Sequence, residues 1–227
     1  MRMLRAGRWI TAIGLLLLAG VYVRAFAFTP MDRLQGLAQK IMYVHVPAAI
    51  WTETAMILVG LASAFYLFTK DSRLDRFAAS SAEVGTVFCV ILLTTGPIWG
   101  KPIWGTWWTW DARLTFSLLL FFLYAAYLLL RGAVTDPAAR ARFAAVLGIC
   151  GMCEVPFIHF SVYLFPTLHP MPVILKPSQP SLPWSMLSTW LLSFGVFTLL
   201  YVGFVMQRYA LSYLREQLEA AQEPRNA

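Results

Sequence analysis

Six long runs of apolar residues, separated by short polar segments, divide the chain. A helix needs about 20 mostly apolar residues to cross the hydrocarbon core of a bilayer. Backbone N–H and C=O groups have to be paired within the protein in lipid, so apolar runs of this length predict helices. The pattern therefore predicts an all-α integral membrane protein. Its six transmembrane helices are expected at residues 9–28, 46–69, 78–99, 114–130, 143–165 and 185–206.

The polar segments are short, and no hydrophilic block is long enough to form a soluble domain. Apolar residues occupy 59% of the 227 positions and charged residues only 13%, which is typical of a multi-pass membrane protein. We therefore expect a single membrane domain over residues 1–227, with a polar tail at 208–227 that forms a short, frayed helix. The first run follows arginines but lacks a clean small-residue cleavage site, so we expect it to be retained as a helix.

The net charge of +7 is informative through its distribution, because cytoplasmic loops of membrane proteins are enriched in lysine and arginine. With the N-terminus inside, twelve of the 18 basic residues are cytoplasmic and six are outside. Both termini are therefore predicted to be cytoplasmic, and no basic cluster suggests a nucleic-acid partner. The residues predicted outside are Arg24, Arg33, Lys40, Lys101, Arg113 and Lys176. Those predicted inside are Arg2, Arg5, Arg8, Lys70, Arg73, Arg76, Arg131, Arg140, Arg142, Arg208, Arg215 and Arg225.

The segment 99–113, W-G-K-P-I-W-G-T-W-W-T-W-D-A-R, contains five of the nine tryptophans. It is predicted to form a tryptophan-rich outer loop between helices 3 and 4, at a periplasmic membrane–water boundary, where the amphipathic indole is favoured. If residues 104–111 are helical, their i, i+3, i+4, i+7 spacing places four side chains on one face. That face is an indole platform ending in a carboxylate and suits a large planar apolar ligand; an interfacial helix without a ligand is the alternative. The four residues are Trp104, Trp107, Trp108 and Asp111.

Three histidines lie near or within the apolar runs. His45 precedes the second run and His169 follows the fifth, so both are predicted on the same outer side as the tryptophans. Neutral imidazoles on two loops could bind a metal from both faces, although a boundary histidine also serves as an interfacial anchor. Two histidines do not make a tetrahedral zinc site. His159 lies inside the fifth run, where we expect a hydrogen bond to a neighbouring helix or to Ser161 or Tyr163.

Acidic residues and cysteines also occur inside the apolar runs. Carboxyl groups are costly in lipid, so Glu53, Glu83 and Glu154 are expected to face the bundle interior and form helix–helix hydrogen bonds, with a proton relay as the alternative. Cys150 and Cys153 have C-x-x-C spacing but lie in mid-helix, so we expect a packing role rather than redox chemistry.

The string W-G-T-W-W-T-W-D-A-R-L-T, with the preceding G-P-I-W-G-K-P, resembles the WWD signature of the haem-handling proteins of cytochrome c maturation. The similarity points to the haem exporter protein C (CcmC) branch of that family. It implies a b-type, non-covalently bound haem whose iron has His45, in Y-V-H-V-P-A, and His169, in T-L-H, as axial ligands. The family form of the second motif is S-V-x-W-W-x-T-L-H, and here Leu164 and Phe165 replace its two tryptophans.

The resemblance also implies roles for the tryptophan segment. Asp111 is expected to orient an indole N–H or Arg113 rather than to bind iron. Arg113 closes the motif and is the first candidate for binding the haem propionates, ahead of Lys101 and Arg33. The implied haem platform consists of Trp104, Trp107, Trp108 and Trp110.

By the same resemblance, the protein presents haem at the periplasmic face of the inner membrane and delivers it to a periplasmic haem chaperone (CcmE-like). The implied complex contains an ABC-type ATPase (CcmA-like), a permease (CcmB-like) and a small single-span subunit (CcmD-like). The chain has no nucleotide-binding motif, so ATP hydrolysis is expected from a partner. Two alternatives stay open: a small-solute or ABC-type permease subunit without haem, and a haem–cytochrome lyase subunit, although larger lyase relatives have more spans.

Overall fold

The computed structural model describes residues 1–174 and 176–222, and within them six long α-helices account for most of the chain. All six are long and apolar enough to cross a membrane, which confirms the predicted all-α architecture. A π-helical turn, Arg24–Phe28, continues the first helix, and a 3₁₀ turn, Leu37–Ile41, leads into the second. The helices are α1 Arg2–Val23, α2 Met42–Thr69, α3 Ser72–Trp104, α4 Ala112–Ala133, α5 Pro137–Leu164 and α6 Trp184–Gln222.

Several helices are longer than their apolar runs because capping side chains, and not hydropathy, determine where they begin. The Asp71 carboxylate accepts a hydrogen bond from the Arg73 N–H at 2.9 Å, so α3 starts six residues before the predicted position 78. The Asp136 carboxylate accepts from the Ala139 N–H at 3.3 Å and starts α5. Both helices therefore begin in polar sequence outside the apolar runs.

The polar tail predicted as a short, frayed helix is instead the continuation of α6, which runs unbroken to Gln222. Contacts with α3 hold this extension in place. The Arg76 guanidinium on α3 pairs with the Glu216 carboxylate, donates to the Tyr209 hydroxyl at 3.1 Å, and lies 5.1 Å from the Tyr209 ring centroid. This polar extension buries little apolar surface, and an ion pair, a hydrogen bond and a cation–π contact stabilise it instead.

The helices form two closely packed groups. Helices α1 and α6 pack antiparallel through small residues: a Cβ atom on Gly7 would lie 2.9 Å from the Gly203 carbonyl oxygen. Helix α2 contacts α3 and α5, and α4 packs against α5. Between α2 and α5 the approach is also close, because a Cβ atom on Gly60 would lie 2.9 Å from the Gly148 carbonyl oxygen. Small residues that allow backbones to approach are typical of helix packing in membranes.

Successive long helices run in opposite directions, so the molecule has two distinct ends. We call the end that carries residues 99–113 the tryptophan end, and the end that carries Arg2 and Gln222 the terminal end. The six basic residues predicted outside lie at the tryptophan end, and eleven of the twelve predicted inside lie at the terminal end. The twelfth, Arg225, lies outside the described residues. Which end faces the periplasm stays a prediction.

The acidic residues of the spans differ in their surroundings. Glu83 forms an ion pair with Arg208 on α6, and Glu154 is buried with no hydrogen-bond partner for its carboxyl oxygens in the described part of the chain. A helix–helix role is therefore supported for Glu83 only. The expected packing role of Cys150 and Cys153 is wrong, because both thiols are exposed on the outer surface of α5.

Candidate functional site

A cavity of about 450 Å³ lies at the tryptophan end between α2, α3, α4 and α5. Residues 168–174 of the α5–α6 loop line it on a further side, so this loop contributes to the wall despite its missing tryptophans. The lining is mostly apolar, with a few convergent polar groups, as in small-molecule and cofactor sites. The ionisable residues in the lining are His45, Glu53, Arg113, His159 and His169.

The tryptophan segment is not a helix after Trp104, so the helical face considered for residues 104–111 does not form. Helix α3 ends at Trp104 because Gly105 adopts the left-handed conformation (φ 75°), and its N–H donates to the Lys101 carbonyl at 3.0 Å. The Lys101 ammonium group donates to the Gly105 carbonyl at 2.8 Å and closes this turn. Residues 105–111 then run in non-helical conformation to the start of α4.

This course of the backbone changes which indoles form the platform. Trp104, Trp107 and Trp108 line the cavity. Trp110 does not; its side chain is 76% exposed and packs edge-on against Trp108, with ring centroids 5.9 Å apart. Trp99, which the helical face did not include, lines the cavity as well. Residues 105–111 are not helical, so the i, i+3, i+4 spacing does not determine which indoles share a side.

His45 lies in the first turn of α2, and not on a loop before it, because α2 begins at Met42. The ring makes three contacts with α3. Its Nδ1 lies 2.9 Å from the Thr95 hydroxyl oxygen, and the Trp99 indole packs edge-on at 5.6 Å between ring centroids. Gly96 faces the Cε1 edge, where a Cβ atom would lie 3.2 Å away. The ring is therefore held between two helices.

His169 lies in the α5–α6 loop and lines the same cavity. The Thr167 hydroxyl accepts its backbone N–H at 2.9 Å, and its Nδ1 lies 3.0 Å from the Pro170 carbonyl oxygen. Burial and, to a smaller extent, the positive charge of Arg113 together lower the pKa of His169 to about 4, although the Pro170 carbonyl opposes this shift. The imidazole is therefore neutral at physiological pH, the form that binds metals.

Arg113 provides the cation of the cavity. It lies in the first turn of α4, and its Nη1 is buried with no hydrogen-bond partner in the described residues. Glu53 lines the same cavity from α2, but these residues form no ion pair within 4 Å in the described chain. Lys101 is engaged with the Gly105 carbonyl, and Arg33 lies in a separate shallow pocket beside the start of α6. Of the three predicted propionate-binding cations, Arg113 is thus the one in the cavity lining.

Asp111 has a local structural role. Its Oδ1 accepts the Leu114 N–H at 3.0 Å and caps α4, and its Oδ2 accepts the Thr109 hydroxyl at 3.0 Å. The described residues show no hydrogen bond from an indole or from Arg113 to this carboxylate. Asp111 therefore fixes the segment and the start of α4, and it positions Arg113 only through the helix.

His159 lines the cavity from α5, one helical turn or more below the loop. The expected hydrogen bond is not present in the described residues: the Ser161 hydroxyl donates to the Ile158 carbonyl at 2.7 Å, and Tyr163 is exposed. The imidazole instead packs edge-on against Phe160, at 6.2 Å between ring centroids.

The residues present fit a haem better than a bare metal ion. In residues 1–174 and 176–222, no group of three or more His, Cys, Asp or Glu side chains could hold a metal ion. A haem needs an apolar slot for the ring, nitrogen ligands for iron and a partner for its carboxylates. Two imidazoles, indole walls and an unpaired buried guanidinium nitrogen match these needs in one cavity.

Sequence comparisons agree with this chemistry. The family described as "Heme exporter protein C" matches residues 2–223, nearly the whole chain. The chain belongs to this family. A "Heme exporter protein C" of Haemophilus influenzae is 40% identical over 202 residues, covering 88% of this chain and 82% of the relative. That of Bradyrhizobium diazoefficiens is 38% identical over 215 residues, covering 94% and 81%.

A plant relative extends the similarity. The "Putative cytochrome c biosynthesis ccmC-like mitochondrial protein" of Arabidopsis thaliana is 34% identical over 223 residues, covering 94% of this chain and 82% of the relative. The family match over residues 2–223 includes all six helices. Family membership therefore applies to the whole membrane domain and not to the tryptophan segment alone.

Proposed function

We propose that this protein is a haem-handling membrane protein of cytochrome c maturation that binds a b-type, non-covalent haem at its tryptophan end. The observation that carries the proposal is that His45 and His169 line one apolar cavity together with Arg113, whose buried Nη1 has no hydrogen-bond partner in the described residues. The names of its relatives, which refer to haem export and cytochrome c biosynthesis, support the same conclusion.

Each wall of the cavity has a role in this proposal. His45 on α2 and His169 on the α5–α6 loop are the axial ligands of the haem iron. Arg113 binds a propionate, since a buried guanidinium without a partner favours a carboxylate. The indoles of Trp104, Trp107 and Trp108 enclose the porphyrin, while Trp110 supports Trp108 from outside the cavity.

In this proposal the tryptophan end faces the periplasm, as the distribution of basic residues predicts. The cavity then lies where a periplasmic haem chaperone (CcmE-like) can receive haem. The ATPase (CcmA-like), the permease (CcmB-like) and the small single-span subunit (CcmD-like) complete the proposed complex. Asp111 contributes by capping α4 and so holding Arg113 at the cavity.

Absorption spectra of the full-length protein, purified in detergent and measured oxidised and reduced, test the proposal. We expect the spectrum of a low-spin haem with two nitrogen ligands in the wild type. The double variant His45→Ala/His169→Ala should lose it, whereas His159→Ala, which changes a third imidazole in the same lining, should keep it. Circular dichroism establishes that each variant is folded.

The outcomes separate the alternatives. A wild-type protein with no Soret band, even after addition of haemin, would favour a permease without haem. A double variant that retains low-spin haem, together with loss of haem in His159→Ala, would move the ligand role to α5.

A further inference from the structure

Thr95 on α3 carries a hydroxyl group with two close hydrogen-bonding neighbours and a longer contact, 3.5 Å, to the Leu92 carbonyl oxygen. Its Oγ1 lies 2.6 Å from the Ile91 carbonyl oxygen, one turn earlier, and 2.9 Å from Nδ1 of His45. A hydroxyl has one hydrogen to donate, and a carbonyl oxygen can only accept. The Thr95 hydrogen therefore goes to Ile91, and the lone pairs of Oγ1 face His45 as acceptors.

This arrangement determines the tautomer of His45. An imidazole nitrogen next to an acceptor has to carry the proton, so Nδ1 of His45 is the N–H. In the neutral ring, Nε2 then holds the free lone pair. A metal-binding histidine commonly donates its second N–H to a fixed acceptor, which sets the ring orientation and makes the ligand more basic.

Two further residues of α3 keep the ring in this orientation. Gly96 leaves room for the Cε1 edge of His45, where a Cβ atom would already be in tight contact at 3.2 Å. Trp99 packs edge-on against the ring, and its own N–H donates to the Gln35 side-chain oxygen at 2.9 Å, which fixes the indole. The hydroxyl acceptor is thus part of a rigid wall.

The bond between a threonine hydroxyl and the carbonyl four residues earlier is by itself common in helices. Thr94, next to Thr95, makes the same bond to the Val90 carbonyl at 2.7 Å, but its side chain is exposed. What distinguishes Thr95 is the contact to His45, which joins α3 to α2 across 50 residues of sequence. The chain therefore supplies its own matched control.

We propose that Thr95 is a positioning residue for axial ligation, which accepts the Nδ1–H of His45 and so presents Nε2 to the haem iron. The inference rests on the proposed function and deepens it, because it assigns the ligating nitrogen and the group that selects it. Thr95 acts through His45. Its hydroxyl, polarised by the bond to the Ile91 carbonyl, is also expected to increase the donor strength of His45.

The test compares Thr95→Val, which is nearly isosteric but removes the acceptor, with Thr95→Ser, which restores it, and with Thr94→Val as the control. Full-length proteins in detergent are titrated with haemin, and spin state, electron paramagnetic resonance g-values and midpoint potential are measured. In Thr95→Val we expect ferric haem to bind between about 10- and 100-fold more weakly, with a high-spin fraction. The midpoint potential should become more positive, because the weaker donor stabilises the ferric state less.

Thr95→Ser and Thr94→Val should match the wild type in all of these measurements. Thr95→Ala, which removes the acceptor without a branched side chain, provides a second measurement should the valine variant not fold. If Thr95→Val and Thr95→Ala bind haemin with wild-type affinity, g-values and potential, the positioning role is overturned while the proposed function stands. If the wild type itself binds no haemin, both are overturned together.

Discussion

Two of the three histidines that line the cavity, His45 and His169, are held in different ways. His45 lies in a helix, and the acceptor for its Nδ1 belongs to another helix, so the ring cannot move without breaking that contact. His169 lies in a loop, and its Nδ1 bonds to the carbonyl of the next residue, Pro170. Both partners of that bond lie in the loop, so a movement of the loop would not break it and His169 would keep its tautomer. In the proposed haem site, we therefore predict that His45 is the retained ligand and that His169 is the one that exchanges during haem transfer.

The largest expected effect separates these two ligands. In His45→Ala we expect haemin affinity to fall by more than the roughly 100-fold upper range for second-shell changes, because a ligand held in place by the protein is lost. His169→Ala should retain haem in part, as a high-spin form that added imidazole converts to low-spin. Equal losses in the two variants, with no response to imidazole in His169→Ala, would contradict the distinction.

The next effect concerns the propionate and Arg113. Replacing Arg113 by leucine should weaken haemin binding about 10-fold or more, because a hydrogen bond to a charged group contributes about 1.5–3 kcal/mol. Binding of the dimethyl ester of haemin, which lacks the carboxylates, should be unchanged by the substitution. Lys101→Leu is the control, since that ammonium group caps a turn outside the lining. A similar loss for haemin and its ester would show that Arg113 acts through packing alone.

The difference between the two histidines was only partly predictable from sequence. Hydropathy predicts six helices because lipid requires apolar length and paired backbone, and motif context selects His45 and His169 as ligands. Neither hydropathy nor motif context shows that α2 begins at Met42, so that His45 lies in a helix and not in a loop. The contact with Thr95 joins positions 50 residues apart, and no local pattern indicates it.

The tryptophan segment shows a similar limit. The spacing of its indoles favours a helix, but Gly105 in the left-handed conformation stops α3 and Asp111 restarts the chain as α4. A glycine followed by a capping aspartate is the local signal for this break, whereas the indole spacing defines one face only if the segment is helical. Of the three candidate cations Arg113 lines the cavity, and its binding of a propionate stays a prediction. Trp99 also lines the cavity but was not among the predicted platform residues.

A smaller effect is expected from the cap that holds Arg113. Asp111→Ala removes the acceptor for the Leu114 N–H and should cost about 1 kcal/mol of stability, as caps typically do. Because the first turn of α4 carries Arg113, haemin affinity should also fall. Asp136→Ala removes the equivalent cap of α5 at the terminal end and should lower thermal stability by a similar amount without changing haemin affinity. Loss of affinity in both variants would mean that the effect comes from general destabilisation.

The smallest expected effect tests which tryptophans belong to the haem site. Trp110 is 76% exposed and outside the cavity lining, whereas Trp104 lines the cavity and lies 6.4 Å, between ring centroids, from His169. Trp110→Phe should therefore change haemin affinity by no more than about twofold, the range of surface substitutions. Trp104→Phe should weaken binding more and alter the g-values, because the wall beside the loop ligand changes. If equilibrium titrations show a larger loss of haemin affinity for Trp110→Phe than for Trp104→Phe, Trp110 belongs to the haem platform after all. The exposed side of the segment would then be part of the haem site.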